Sequence, residues 1–211
     1  MAQPQVHTNT AIPYASLSRI PASRVARFAL AVSAGSLLLA ICAHISFPLF
    51  FTPVPFTLQP LAVLLLGLLL EPTVAFATLF AYLVEGVSGL PVFAPTASVT
   101  AFHLLGPSGG YLMAYPFAAA LVSKLYRSWP RASFTFAALS AAAGAVIYFA
   151  GGASWFAIIM HQSLSVTLQL AVWPFLAGDA LKIILAAAIA TGFARRRLRR
   201  GSEAALNSAR N

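Results

Sequence analysis

Asp179 and Lys182 are the residues whose types and spacing most clearly permit chemistry. They stand three apart in "FLAGDALK" (175–182), so on a helix they share one face. Ionisable groups in so apolar a stretch are costly and face a cavity or a partner. Two readings stay open. The pair neutralises itself and holds a helix end, or it is a polar clamp. In the clamp, the carboxylate accepts N–H groups from a ligand and the ammonium meets a carbonyl or carboxylate. A second stretch, "LLGPSGGYLM" (104–113), contains Gly106-Pro107-Ser108-Gly109. That G-x-S-G pattern surrounds the nucleophile of intramembrane serine proteases, and His161 would be the base. Such a dyad needs tight small-residue packing around the histidine, and "IIMHQSL" has none at neighbouring turns. The glycines instead suit a loop that brings backbone close to a ligand. There Ser108 is a hydrogen-bonding hydroxyl or helix cap, and Tyr111 adjoins the loop.

The other polar residues read as follows. Gln59 follows a proline-rich approach and Thr57, a candidate helix cap; its amide either bonds a neighbouring helix or reads a ligand amide. Glu85, beside Gly86, is an exposed boundary acid or part of a pocket rim. Tyr82 and Tyr148 fit the role of membrane-interface anchors. His7, His44, His103 and His161 lack metal-ligand spacing, so no metal site and no catalytic set is expected. No Walker A loop is present, so the chain does not hydrolyse nucleotides on its own. Cys42 is a lone cysteine that excludes an internal disulfide and packs as a small residue.

The elements that position these residues follow from composition. Of 211 residues, 60% are hydrophobic and 8% charged, and no Asp, Glu, Lys or Arg occurs in 28–70 or 132–178. This is the composition of an all-α, polytopic membrane protein. Six apolar runs, at about 28–50, 57–70, 72–87, 108–126, 132–151 and 174–194, can cross the bilayer. A further stretch, 154–173, carries His161, Gln162, Ser163, Ser165, Thr167 and Gln169 and is a span, a re-entrant segment or an interfacial one. Charge decides between these. With it not crossing, Arg19, Arg24 and Arg27, then Lys124, Arg127 and Arg131, then Arg195, Arg196, Arg197, Arg199 and Arg200 all fall on one side, as cytoplasmic clusters do. Six spans with both termini cytoplasmic result. Residues 1–27 form a disordered cytoplasmic tail, 28–194 the transmembrane domain, and 195–211 a basic tail. The net charge of +9 then sets orientation and meets anionic lipid heads, not nucleic acid. The outer side gathers Gln59, Glu85, the 104–113 loop, 152–173 and Asp179–Lys182, loops that can pack over an outward pocket.

Four blocks, "VPFTLQPLAVLLLGLLLEP" (54–72), "AYLVEGVSGLPVFA" (81–94), "GPSGGYLMAYPFAA" (106–119) and "PFLAGDALKIILAA" (174–187), together resemble BioY. BioY is the biotin-binding S component of energy-coupling factor (ECF) vitamin transporters. The resemblance implies a six-helix S-component bundle in the cell membrane and high-affinity biotin capture under outer loops. It also implies partnership with a transmembrane coupling (T) protein and two ABC-type ATPases. No enzyme activity and no cofactor is implied, biotin being the transported ligand. By matched position, Asp179 and Lys182 fall in the G-D-x-x-K motif, where they meet the ureido ring or the carboxylate. Gln59 falls in V-P-x-T-L-Q, and Tyr111 in the G-P-T-G-G-Y-L loop. Phe93 and Leu112 are candidate apolar walls.

Three departures bear on the loops. Ser108 stands where Thr is usual. Pro95-Thr96-Ala97-Ser98 stands where a glycine-rich run is usual, and "GYLMAYPFA" lacks a glycine-phenylalanine pair. Small residues four apart on the first helix, Ala31/Gly35 and Ser36/Ala40, offer close-approach faces, either for the T protein or for packing within the chain. An S component for another vitamin is the alternative ligand reading, and a Ser108–His161 protease the remote one.

Overall fold

The structure is a computed structural model that describes residues 21–95, 102–129 and 133–210. Arg19, Arg131 and the Thr96–Ser98 departure lie outside them. Eight helices and one hairpin are described: α1 (Ala22–His44), β1 (Ser46–Leu49), β2 (Thr52–Thr57), α2 (Gln59–Leu69), α3 (Pro72–Val87), α4 (Phe102–Leu105), α5 (Gly109–Ser128), α6 (Phe134–Ile159), α7 (Leu164–Ala171) and α8 (Trp173–Arg210). Among the described residues three helices are long and apolar enough to cross a membrane: α1, α6 and the Trp173–Arg196 part of α8. Shorter apolar helices, α2 and α3, stand beside them. The chain is a mostly helical, multi-pass membrane protein.

Several boundaries differ from the sequence expectation, each for a local reason. The first helix begins at Ala22, so residues 22–27 of the expected disordered tail are helical. Arg27 Nε donates to the Ser23 carbonyl at 3.1 Å within that turn. The helix stops at His44, not near 50, because a helical Pro48 would drive its ring into the carbonyl of residue 44. The chain instead turns back as an antiparallel hairpin with Ser46 opposite Thr57 and Phe47 opposite Phe56, irregular at Pro48. A proline lacks the ladder N–H, and this two-stranded ribbon has open edges that tolerate Pro48, Pro53 and Pro55. Thr57 belongs to β2 and does not cap α2, whose preceding residue is Leu58.

The α2–α3 corner is as expected: Glu71 precedes Pro72, the first residue of α3, where a missing N–H costs nothing. α6 is capped by Ser133, whose side chain accepts from Phe136 N at 3.3 Å, and runs to Ile159. The 154–173 stretch therefore divides into the end of α6, a turn, and the eight-residue α7. At about 1.5 Å per residue α7 is far too short to cross a bilayer. α8 continues unbroken through the basic run to Arg210, since arginine is a good helix former.

α5 lies at the centre, packed on α6, α3 and α2, while α8 packs on α2 and α6, and α1 on α3 and α2. Small residues make this close fit: Ala118, Ala119, Ala137, Ala141, Ala186 and Ala187 are buried where the helices meet. At one end Ser123 Oγ donates to Leu70 O at 2.6 Å, which brings the C-terminal end of α5, with Lys124 and Arg127, to the α2–α3 corner at Glu71. At the other end the hairpin, α4 and α7 come together, with α7 touching β2 and α4 touching α5.

Candidate ligand-binding site

Beneath the hairpin lies a cavity of about 510 Å3, counting space open to solvent. Its wall takes Gln59 from α2, Ser108 and Tyr111 from the start of α5, Tyr148 from α6, and Asp179 and Lys182 from α8. Six of the residues singled out for ligand contact are thus gathered into one cavity: Gln59, Ser108, Tyr111, Leu112, Asp179 and Lys182.

Asp179 and Lys182 are 3% and 4% exposed, so their pairing is a buried one. Lys182 Nζ donates to Asp179 Oδ1 at 2.6 Å, and the Tyr148 hydroxyl donates to Asp179 Oδ2 at 2.8 Å. Both carboxylate oxygens are therefore held, one from the same helix and one from α6. The ammonium keeps further N–H donors after serving Asp179. It also sits 4.1 Å from the centroid of the Phe56 ring, where a cation is attracted to the π face. Phe56 reaches this place from β2 because residue 178 is glycine: a Cβ there would lie 2.4 Å from Phe56 Cζ. Phe56 also stacks on Phe175, rings 6.3 Å apart and 9° from parallel.

Gln59 Nε2 donates to the Tyr82 hydroxyl at 2.8 Å, and Tyr82 in turn donates to the Val92 carbonyl at 2.9 Å. The Tyr111 hydroxyl donates to the Ala171 carbonyl at the end of α7. In the 104–113 stretch, Trp155 Nε1 donates to Gly106 O at 3.0 Å, and a Cβ on Gly110 would lie 2.2 Å from Trp155 Cβ. The glycines there let α5 approach α6. Ser108 holds the position before α5 without a side-chain capping bond.

Several expectations need correction. Glu85 and Phe93 do not line the cavity. Glu85 accepts a hydrogen bond from Ser36 between α1 and α3. Phe93 packs behind the wall, edge-on to Tyr82 at 5.4 Å and stacked on His103 at 5.3 Å. Gly35 and Ser36 do not form an outward docking face. Both are buried, Gly35 against Thr78 of α3, while Ala31 and Ala40 are half-buried. The outward large apolar residues of α1 are Val25, Phe28, Leu30, Leu37 and Ile41. Tyr82 and Tyr148 are not interface anchors, being 0% and 1% exposed. His161 is exposed in the α6–α7 turn, while Ser108 lies in the cavity wall, and among the described residues no hydrogen bond joins the two.

Residues the sequence reading missed include Tyr148, Tyr115, Phe149, Phe175 and His103, all in the wall. One signal for Tyr148 was available. It lies on the small-residue stripe Ala137, Ala141, Gly144, Ala145, which at helical spacing marks the inward face of α6.

Residues 13–199 match the BioY family. The chain belongs to the BioY family. Among proteins it resembles, "Probable biotin transporter BioY" of Pyrococcus horikoshii is 36% identical over 138 residues, covering 65% of this chain and 79% of that one. "Biotin transporter BioY" of Thermotoga maritima is 33% identical over 153 residues, 72% of this chain and 87% of the relative. The fold is shared with a crystal structure of the S-component for biotin from an ECF-type ABC transporter, at a TM-score of 0.75 and 24% identity. That likeness covers 86% of this chain and 95% of the other. The cavity of this BioY-family chain is therefore built from the blocks by which the sequence resembles the family, plus His103 of α4 and Tyr148 and Phe149 of α6.

Proposed function

We propose that this chain is a biotin-uptake protein, the substrate-capturing S component of an ECF-type transporter, and that the cavity beneath the hairpin is the biotin site. The observation that carries this is the buried Lys182–Asp179–Tyr148 cluster facing Gln59 across an aromatic-lined cavity. Biotin's ureido ring offers two N–H donors and one acceptor. Asp179 and the Gln59 oxygen suit the donors, and Lys182 suits the carbonyl or the carboxylate. Tyr111, Tyr115, Phe149 and Phe175 supply apolar walls for the thiophane ring and valeryl chain. The relatives' names, biotin transporter, point the same way.

In this reading the chain crosses the cell membrane six times with both termini cytoplasmic. The meeting of the α2–α3 corner with the Lys124–Arg127 end of α5 supports that orientation, since basic residues stay inside. The cavity then opens outward. A T protein and two ABC-type ATPases supply the energy; the chain itself is not an enzyme. The outward apolar face of α1 is the surface left for that partner or for lipid. Equilibrium binding to the purified full chain tests the ligand: submicromolar biotin affinity is expected. Failure to bind biotin while another vitamin binds would overturn the reading. Co-purification from native membranes tests the partners.

A further inference from the structure

The Gln59–Tyr82–Val92 chain has a direction forced by its last member. A backbone carbonyl only accepts, and Val92 O takes the Tyr82 hydroxyl proton. Tyr82 has no second proton, so toward Gln59 it is an acceptor, and the Gln59 group that meets it is the NH2. The amide is thereby oriented by chemistry, not by fit alone, and Oε1 is directed away from Tyr82. Gln59 lines the cavity and Tyr82 does not. Tyr82 is held from behind: it is fully buried, Phe93 meets it edge-on, and Phe93 fills the space that a side chain at Gly86 would need.

We propose that Tyr82 is a positioning residue for ligand capture, holding the Gln59 amide so that Oε1 is presented to the cavity as an acceptor for a ligand N–H. This rests on the proposed biotin site. Without the Tyr82 oxygen the amide can turn over and present its NH2 to a ligand N–H, two donors face to face with neither satisfied. The same chain links the 88–95 loop, which brings Ala94 to the cavity, to α2. The orientation of Gln59 therefore depends on that loop being seated.

The test is a double-mutant cycle on the purified full chain, with biotin affinity measured for the wild type, Tyr82→Phe, Gln59→Ala and the double variant. Each single change is expected to weaken binding about tenfold, the effect of one hydrogen bond. In the Gln59→Ala background Tyr82→Phe should add no further loss, because it acts only through Gln59. Unchanged affinity in Tyr82→Phe, or the same fold loss in both backgrounds, overturns the proposal and leaves the biotin site standing. Wild-type affinity in Gln59→Ala removes Gln59 from the site and the proposal with it. Absence of biotin binding by the wild type overturns the biotin reading itself. Should Tyr82→Phe fail to fold, difluorotyrosine at position 82 keeps the ring and hydroxyl but weakens the oxygen as an acceptor. The same dependence on Gln59 is then expected, and a loss independent of Gln59 overturns the proposal.

Discussion

The hydroxyl of Tyr148 and the carboxylate of Asp179 are joined at 2.8 Å across α6 and α8, although 31 residues separate them in the chain. Asp179 is thus fixed from two sides, by Tyr148 and by Lys182, and its orientation does not depend on the ligand. A pre-oriented polar group loses little freedom on binding, which is where much affinity is otherwise lost.

Tyr148→Phe removes one of those supports while keeping the ring against Tyr115, which it meets edge-on at 5.7 Å. Biotin affinity should fall about tenfold, since a hydrogen bond to a charged group contributes on the order of 1.5–3 kcal/mol and part of it survives through Lys182. Titration calorimetry measures this. Unchanged affinity would mean that Lys182 alone orients the carboxylate.

Lys182→Met leaves a buried carboxylate without its cation and should destabilise the chain by about 3–5 kcal/mol. Replacing both members, Asp179→Leu with Lys182→Met, should recover most of that stability, because no charge is then buried unpaired. Thermal unfolding of the single and double variants in detergent checks the sign, and neither should bind biotin.

Gly178→Val places a side chain where the Phe56 ring now lies. The hairpin should be displaced from α8, and biotin affinity should drop. Phe56→Ala in the same chain removes the obstruction, so part of the loss should return. A loss that persists in the double variant would place the damage in α8 itself.

Tyr111→Phe releases the Ala171 carbonyl at the end of α7. Amide hydrogen exchange should rise in α7 and at the Val172 bend, with biotin affinity weakened several-fold by about one hydrogen bond's worth. Exchange confined to its wild-type level would show that packing alone holds α7.

Glu85→Gln tests the corrected boundary of the site. Gln can still accept from Ser36, and position 85 does not line the cavity. Biotin affinity should stay at the wild-type value, whereas Ser36→Leu should destabilise the α1–α3 contact.

Much of this architecture was legible in the order of residues. Long uncharged runs require helices in lipid, because a backbone without water must satisfy itself. Pro72 after Glu71 marks a corner, and an ionisable pair at i and i+3 in an apolar helix marks a cavity. For 154–173, charge favoured a segment that does not cross, and the eight-residue α7 is too short to be a span. Three things were not legible. The hairpin at 46–57 escaped because two short strands in an apolar run carry no periodicity that separates them from a helix; Pro48 was the local sign. Glu85 and Phe93 escaped because being near a site in sequence says nothing of which helix face points inward. Tyr148 escaped because a tyrosine near a span end reads as an anchor until its helix is rotated into place. In "LLGPSGGYLM" the serine that resembles a nucleophile lines the cavity, while His161, the base it would need, is exposed in the α6–α7 turn. Local chemistry and hydropathy act within a few residues and can be read along the chain, but which side chains meet is set by how helices rotate and pack against one another. That is a property of the assembled bundle.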